Sequence, residues 1–119
     1  MDLLVQHHGK STSTKEGANS LTIEGHALSM NLENHLGNKV KVSFLPNQYY
    51  NDKIYTMEDY YVSQEKNGLT ISMELKEGDI KVNYKIEEVV KIEVQEYFNR
   101  IEYKTYVEYD GVYNFCLYF

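Results

Sequence analysis

The stretch "LTISMELKEGDIKVNYKI" (residues 69–86) decides the predicted fold, because apolar and polar residues alternate on both sides of its central "KEGD". Alternation with period two separates a dry face from a wet face, which is typical of an antiparallel sheet. We therefore predict a β-hairpin. Its dry face consists of Leu69, Ile71, Met73 and Leu75 on one strand and Ile80, Val82, Tyr84 and Ile86 on the other.

The register of this hairpin follows if residues 76–79 form a four-residue loop. Glu74 then lies opposite Lys81 on the wet face, which is a favourable cross-strand charge pair. A slip by one residue would turn the apolar side chains to the wet face. The predicted dry-face pairs are Leu75 with Ile80, Met73 with Val82, Ile71 with Tyr84 and Leu69 with Ile86.

Further alternating segments flank the hairpin at residues 40–44 and 90–94. The segment "KIYTMEDYYVSQEKNG" (residues 53–68) is long, and its alternation breaks midway. This break predicts a bent or bulged strand of the kind that curls a sheet into a small barrel. Asn67 and Gly68 are predicted to supply the tight turn that follows.

The N-terminal part of the chain divides at residue 20. Residues 1–20 contain the Ser/Thr/Gly/Lys-rich run "HHGKSTSTKEGANS" and are predicted to be a flexible arm or loop, ahead of a single β-rich domain over residues 21–119. Residues 26–36 fit two patterns, because Leu28, Met30 and Leu32 alternate as in a strand whereas Leu28, Leu32 and Leu36 have helical spacing. We favour a short helix that ends at Gly37.

Two segments, "LENHLGNKVKVSF" (32–44) and "DIKVNYKIEEVVKIEV" (79–94), carry a family resemblance. Together with the bent strand and hairpin between them, residues 28–95 resemble the Sm-like and SH3-like small barrels. The resemblance implies a helix-to-strand entry and, after the hairpin, a closing strand, a single helical turn and a final strand. The family's RNA-reading motifs are not matched, because "NYKIEE" stands where Arg-Gly would precede the last strand and "TMEDYY" stands where a mid-strand Gly would be.

The C-terminal stretch "YVEYDGVYNFCLYF" (residues 106–119) predicts a second hairpin, with Asp110-Gly111 as a two-residue turn. The last strand is apolar on both faces, so we expect it to be central in the sheet or covered by another chain. This expectation also predicts a homo-oligomer. The predicted pairs are Tyr109 with Val112, Val107 with Asn114, Thr105 with Cys116, Tyr103 with Tyr118, Tyr106 with Phe115, Glu108 with Tyr113, Lys104 with Leu117 and Glu102 with Phe119.

Composition excludes several classes of function. The chain has 119 residues and a formal net charge of −6, which argues against a general nucleic-acid binder because such affinity comes from clustered Lys and Arg. The single cysteine, Cys116, excludes an internal disulfide and is predicted to be a buried structural residue. The opening "MDLLVQHHGK" has no apolar run long enough for a signal peptide or membrane span, so we expect a cytoplasmic protein with no membrane contact.

Candidate catalytic and metal-binding residues are weak. His7 and His8 are neighbours that point apart on an extended chain, and "HHGKST" lacks the earlier glycine of a phosphate loop. The acidic pairs 58–59 and 87–88 lack a convergent His or Lys. We therefore predict a protein that is not an enzyme and that uses no catalytic residue, cofactor or metal.

Twelve tyrosines, with no tryptophan, are the most distinctive feature of the composition. Tyrosine combines a large apolar ring with a polar tip, so it suits both half-buried packing and contact surfaces. Our candidate partner-binding residues are Tyr106, Tyr113, Glu108, Asp110, Tyr49, Tyr50 and Asp52.

We expect a non-enzymatic binding protein that occludes a protein partner with an acidic, tyrosine-rich surface. A phage or mobile-element inhibitor of bacterial defence (anti-defence), or an immunity protein, is the setting associated with such a domain. Two alternatives stay open. One is a sponge or sensor for a nucleotide or other small molecule, with tyrosine stacking on a base and Lys39, Lys41, Lys81 or Lys85 neutralising phosphate. The other is a phage structural or assembly subunit.

Overall fold

The computed structural model describes residues 21–119 in full and the backbone of residues 6–8 and 11–13. Within these ranges, no helix has the length and apolar character that crossing a membrane requires. The elements are β1 (Gln6–His8), β2 (Ser11–Ser13), α1 (Ile23–Asn34), β3 (Lys39–Val42), β4 (Tyr55–Glu65), β5 (Gly68–Glu77), β6 (Ile80–Glu96), β7 (Arg100–Val107) and β8 (Gly111–Tyr118).

Six antiparallel strands form a closed ring in the order β4-β3-β8-β7-β6-β5, and β5 pairs again with β4. The β1–β2 hairpin adds to β4 beside β3. The predicted fold class is therefore confirmed: a mainly β, small curled antiparallel barrel with one short N-terminal helix and a C-terminal β-hairpin. Two short segments of the predicted arm form strands, and the rest of the arm lies outside the described residues.

The hairpin of β5 and β6 has the predicted faces except at Ile80, which was expected on the dry face but is 61% exposed at the start of β6, and its register differs from the prediction. Leu75 pairs with Val82, Met73 with Tyr84 and Ile71 with Ile86, which shifts these three pairs by two residues, and beyond a bulge Leu69 pairs with Val89. The predicted four-residue loop is wrong because Glu77 pairs with Ile80, leaving a two-residue turn. Gly78 has a φ of 59° there, which suits the first central position of a II′ turn. Glu74 consequently faces Asn83 instead of Lys81.

The predicted irregularity of β4 is confirmed, because its pairing with β5 shifts register between Met57 and Asp59. The turn after β4 consists of residues 66–67, one position earlier than predicted, and Gly68 begins β5 with a φ of 137°. The single helical turn that the resemblance implied is absent. Residues 80–96 form one strand that bulges near Glu88, whose φ is 59°.

The predicted helix is present as α1, although it ends at Asn34 rather than at Gly37. Thr22 caps its N-terminus, because the Thr22 Oγ1 accepts a hydrogen bond of 3.1 Å from the Gly25 amide. Leu28 and Leu32 are buried, and Asn31 Nδ2 donates a 2.5 Å hydrogen bond to the hydroxyl of Tyr103. The helix therefore packs on the barrel through apolar contacts and through side-chain hydrogen bonds.

The last strand, β8, lies between β3 and β7, which confirms the first of its two predicted environments. Phe115 pairs with Tyr103 across the hairpin, and their rings stack with centroids 4.8 Å apart inside the core. The predicted pairs of this hairpin are wrong, because the turn has three residues, 108–110, instead of Asp110-Gly111. This change shifts the register by three and exchanges the facing partners.

The outer face of β8 is covered by the connection between β3 and β4, residues 43–54. Asn47 exchanges two hydrogen bonds with the backbone of Val112, and Asn114 Nδ2 donates to the carbonyl of Gln48 at 2.8 Å. Cys116 is fully buried, as predicted, and Tyr50 lies against it. Self-association is therefore not needed to cover β8, and the predicted homo-oligomer must rest on another surface.

Candidate binding face

A groove runs over the outer face of the sheet formed by β6, β7 and β8. We call it the tyrosine groove; residues 43–54 form one wall and β6 forms the other. Its volume is about 560 Å³. The lining residues are Tyr49, Tyr50, Glu93, Val94, Gln95, Tyr97, Glu102, Tyr103, Lys104 and Asn114.

One end of the groove is fixed by a chain of polar contacts around Glu102. The Tyr50 hydroxyl donates to Glu102 Oε2 at 2.9 Å, and Arg100 Nε donates to the same oxygen at 2.8 Å. The Arg100 guanidinium also lies 4.0 Å from the ring centroid of Tyr97, which is cation–π distance. The hydrogen bond from Arg100, followed by that from Tyr50, lowers the pKa of Glu102, although desolvation opposes this shift. Burial and the bond to Glu102 raise the pKa of Tyr50.

A second arrangement of tyrosine, carboxylate and cation lies further along the sheet. Lys91 Nζ is 3.5 Å from Glu93 Oε2 and 5.0 Å from the ring centroid of Tyr106. The Tyr106 hydroxyl donates a hydrogen bond to Glu93, and this bond is the main reason that the pKa of Glu93 is lowered. In both arrangements a cation of the same chain, Arg100 or Lys91, neutralises the carboxylate.

Lys104 lies between these two arrangements and differs from them. It pairs with Asn114 on β8 and with Glu93 on β6, and its charge helps to lower the pKa of Glu93 and of Glu102, but it forms no close ion pair within the described ranges. Beside it in the groove is Tyr49, whose side chain is 87% exposed. An ammonium group beside an open aromatic ring can attract an anion that carries a planar group.

The groove continues into a shallower depression of about 300 Å³ that is lined by Asn47, Tyr106 and Val112. Asn47 has a φ of 61°, and its side chain lies so close to Gly111 that a Cβ there would be 2.6 Å from Asn47 Nδ2. This close contact joins the groove to the turn between β7 and β8.

We call the turn and the adjoining bulge of β6 the acidic tip; it consists of Glu88, Glu108, Tyr109 and Asp110. The Glu108 amide donates to the Glu88 carbonyl at 3.1 Å, which holds the turn against the bulge. Tyr109 has a φ of 68° and is 96% exposed. A bulky residue in the left-handed region carries backbone strain, and such strain concentrates at functional sites. Within residues 21–119, the three carboxylates form no ion pair.

The structure separates the predicted site residues into several places. Tyr49, Tyr50 and Tyr106 lie along the groove and its depression. Glu108 and Asp110 belong to the acidic tip. The remaining two candidates, Tyr113 and Asp52, belong to neither the groove nor the acidic tip.

Tyr113 is the clearest departure from expectation. It faces Thr105, and its ring packs against the core, whereas the neighbouring pair of Tyr106 with Val112 faces outward. Its hydroxyl donates to Asp110 Oδ2 at 2.8 Å, so Tyr113 supports the turn rather than sharing a contact surface with Tyr106. Asp52 is exposed in the loop but does not line the groove.

Sequence reasoning missed Tyr97, Glu102 and Lys104. Glu102 and Lys104 alternate with buried residues on β7, so period-two alternation assigned them to a wet face without showing that a loop would fold over it. Tyr97 follows β6 directly, and its proximity to Arg100 depends on a turn that carries no Gly or Pro signal. None of the four lysines considered for phosphate lines the groove.

The residues considered for metal binding or nucleophilic chemistry do not come together in one site. In the part of the chain that is described, no group of three or more His, Cys, Asp or Glu residues could hold a metal ion. The side chains of His7 and His8 lie outside the described residues. Burial raises the pKa of the Cys116 thiol, which disfavours the reactive thiolate. In comparisons with known proteins, no family model, no curated protein and no solved structure matches this chain.

Proposed function

We propose that this protein is a non-enzymatic binding protein that occludes a protein partner with the face formed by the acidic tip and the tyrosine groove. The observation that carries the proposal is the exposure of three aromatic side chains: Tyr49 in the groove at 87%, Tyr109 at the acidic tip at 96%, and Phe98, which directly follows the groove residue Tyr97, at 95%. Aromatic side chains are usually buried, and at interfaces they serve as anchors that fill pockets of the partner.

The size of this face favours a protein partner. Phe98 lies in the turn before β7 and Tyr109 in the turn after it, and the eight residues of β7 span roughly 25 Å. A standard interface covers about 800 Å² on each partner, which fits a patch of this width. A small ligand could not contact both aromatic residues.

The charge of the acidic tip favours a partner with a basic surface. Glu108 and Asp110 flank Tyr109 in the turn, the backbone of Glu88 is hydrogen-bonded to that of Glu108, and the whole chain carries a net charge of −6. Complementary charge speeds encounter and excludes partners of the wrong sign. Inhibition of a bacterial defence protein by a phage or mobile element, or neutralisation of a toxin by an immunity protein, is the role that we propose for this surface.

The proposal is tested by affinity capture from a bacterial lysate with matched variants. We expect Tyr109→Ser and Phe98→Ser to lose a protein that the wild type retains, because each removes an anchor without touching the core. Ile80→Ser is the matched control, since Ile80 is also exposed but begins β6 at its other end. Capture should weaken when salt rises from about 50 mM to about 500 mM. Equal capture by the wild type and both face variants would overturn the proposal.

A nucleotide-binding sponge or sensor is the second candidate, and one observation favours it. Lys104 is without an ion pair in the described part of the chain, and it lies beside exposed Tyr49 in a groove of about 560 Å³, a volume typical of small-molecule sites. A base would stack on Tyr49 and a phosphate would contact Lys104. Adenosine monophosphate should then raise the melting temperature of the wild type but not of Lys104→Gln, whereas adenosine alone should act weakly on both proteins.

A further inference from the structure

The C-terminal half of β6 has a free edge. β6 pairs with β5 only as far as Val89, and it pairs with β7 from Val89 onward. Along residues 90–96, therefore, the edge opposite β7 has no neighbouring strand within the described ranges. An open pocket of about 420 Å³ adjoins part of this edge, next to Val90 and Ile92.

The backbone groups of alternate residues point toward this edge. The amide of Tyr97 donates to the carbonyl of Arg100 at 2.8 Å, so Tyr97 directs its backbone groups to β7. Because successive residues of a strand alternate in direction, those of Ile92 and Val94 point the other way. An extended segment that lies along the edge could form hydrogen bonds with them.

The side chains on this edge are unusually apolar for an unpaired strand. Val90 is 56% exposed and Val94 is 51% exposed, and Ile92 between them is half-buried. Edge strands that remain monomeric are usually blunted by charge, proline or a covering loop. Within residues 90–94 the charged residues, Lys91 and Glu93, lie on the other face, and the first charge on the apolar face is Glu96 at the end of the strand.

We propose that residues 90–94 pair antiparallel with the same residues of a second copy of this chain, about a two-fold axis at Ile92. This register places Ile92 opposite Ile92 and Val90 opposite Val94. It also places Lys91 opposite Glu93 twice, once on each side of the axis. The two barrels then share one continuous sheet.

Residues 90–94 are complementary to themselves in the antiparallel direction, and this favours a second copy of the chain as the strand that pairs with the edge. The segment "VKIEV" (residues 90–94) reads apolar, basic, apolar, acidic, apolar, so its antiparallel copy matches it at every position. A two-fold axis at Glu93 would instead place Glu93 opposite Glu93, and like charges directly opposite destabilise a sheet. The Lys91–Glu93 contact within one chain is exposed, so both side chains can reach a partner strand.

The test reverses the charge of Lys91 or of Glu93 and measures dimerisation of the full chain by sedimentation equilibrium. We expect the wild type to dimerise at concentrations up to about 0.5 mM. Lys91→Glu and Glu93→Lys should each raise the dimer dissociation constant at least about tenfold, because each places like charges opposite at two positions. Mixing these two variants should restore association as a heterodimer, since every facing pair is then complementary.

Lys85→Glu and Glu87→Lys are the matched controls. These two residues have the same spacing on the same strand and a comparable ion pair of 4.0 Å, but they precede the proposed interface. They should leave dimerisation unchanged, alone or mixed, and circular dichroism should show all variants folded. A monomeric wild type would overturn the proposal, and so would a mixture of Lys91→Glu and Glu93→Lys that associates no better than either variant alone.

Discussion

The Tyr50 hydroxyl donates a 2.9 Å hydrogen bond to Glu102 Oε2, and this bond joins the β3–β4 connection to the outer face of β7. Cys116 of β8 pairs with Glu102 across the hairpin, and the Tyr50 side chain helps to bury it. One contact therefore covers the last strand and shapes one end of the tyrosine groove.

Replacement of Tyr50 by Phe should loosen this cover. The ring remains, but the charge-assisted hydrogen bond is lost, so the free energy of unfolding should fall by about 1–2 kcal/mol. Cys116 should then react faster with a thiol reagent, because the loop opens more often. Urea denaturation and the labelling rate measure the two effects. Tyr49→Phe is the control, since that exposed hydroxyl holds no hydrogen bond to the described residues; equal labelling of both variants would contradict the prediction.

Stability should fall in acid partly through Glu102. Its pKa is lowered in the folded protein, above all by the hydrogen bond from Arg100, so the unfolded chain binds more protons as the pH drops. The stabilisation is present at neutral pH and is lost as pH falls from about 5 through the folded pKa. Glu102→Gln should be roughly 1 kcal/mol less stable than the wild type near neutral pH. The difference should shrink as the pH falls through the lowered pKa of Glu102 in the folded protein; a gap that stays constant in denaturation curves would contradict this assignment.

Gly68 should tolerate no side chain. Its φ is 137°, and a Cβ there would lie 2.8 Å from the carbonyl oxygen of Val89, a backbone atom of the bulged strand. We expect Gly68→Ala to destabilise the fold by more than about 2 kcal/mol, whereas Gly78→Ala should cost about 1 kcal/mol. Gly78 also has a positive φ, but its Cβ would meet nothing within 4 Å. Denaturation midpoints of the two variants should therefore differ clearly, and similar midpoints would argue against the close approach.

Deletion of residues 112–119 should abolish folding. β8 pairs with β3 on one side and with β7 on the other, and its residues Phe115 and Leu117 are fully buried. Without this strand the ring cannot close, and the inner faces of both neighbours are exposed. Near-ultraviolet circular dichroism and analytical gel filtration would detect the loss. A cooperatively unfolding truncated chain would show that the ring is dispensable.

The sequence predicted the faces of the strands better than their partners. In the β5–β6 hairpin the period of two correctly separated Met73 and Tyr84 from Glu74 and Lys85, because burial on one face constrains parity. However, a shift of two residues between the strands keeps every side chain on the same face, so the alternation does not determine the register. The two-residue turn at Gly78 determines it. In the C-terminal hairpin a three-residue turn replaced the predicted Asp110-Gly111. The register shifted by an odd number of residues, so the residues of β8 that share a face with Tyr103 and Thr105 are not the predicted ones.

The candidate face was predictable in part. Exposed tyrosines on a loop were visible in the sequence as Tyr49 and Tyr50, and acidic residues near a turn as Glu108 and Asp110. The groove itself was not, because it exists only where residues 43–54 fold back over β8. That contact joins residues 65 or more positions apart, and no local pattern carries such information.

The place of β8 in the ring also has a consequence for how the protein is made. This strand is synthesised after β3 and β7, yet it lies between them. During translation the five earlier strands of the ring can form hairpins, but β3 and β7 stay without their common neighbour until residue 118 has left the ribosome. Contacts between such distant residues also slow folding. The nascent chain is therefore exposed to aggregation and to proteases until β8 emerges, and chaperone dependence should be greatest just before that point.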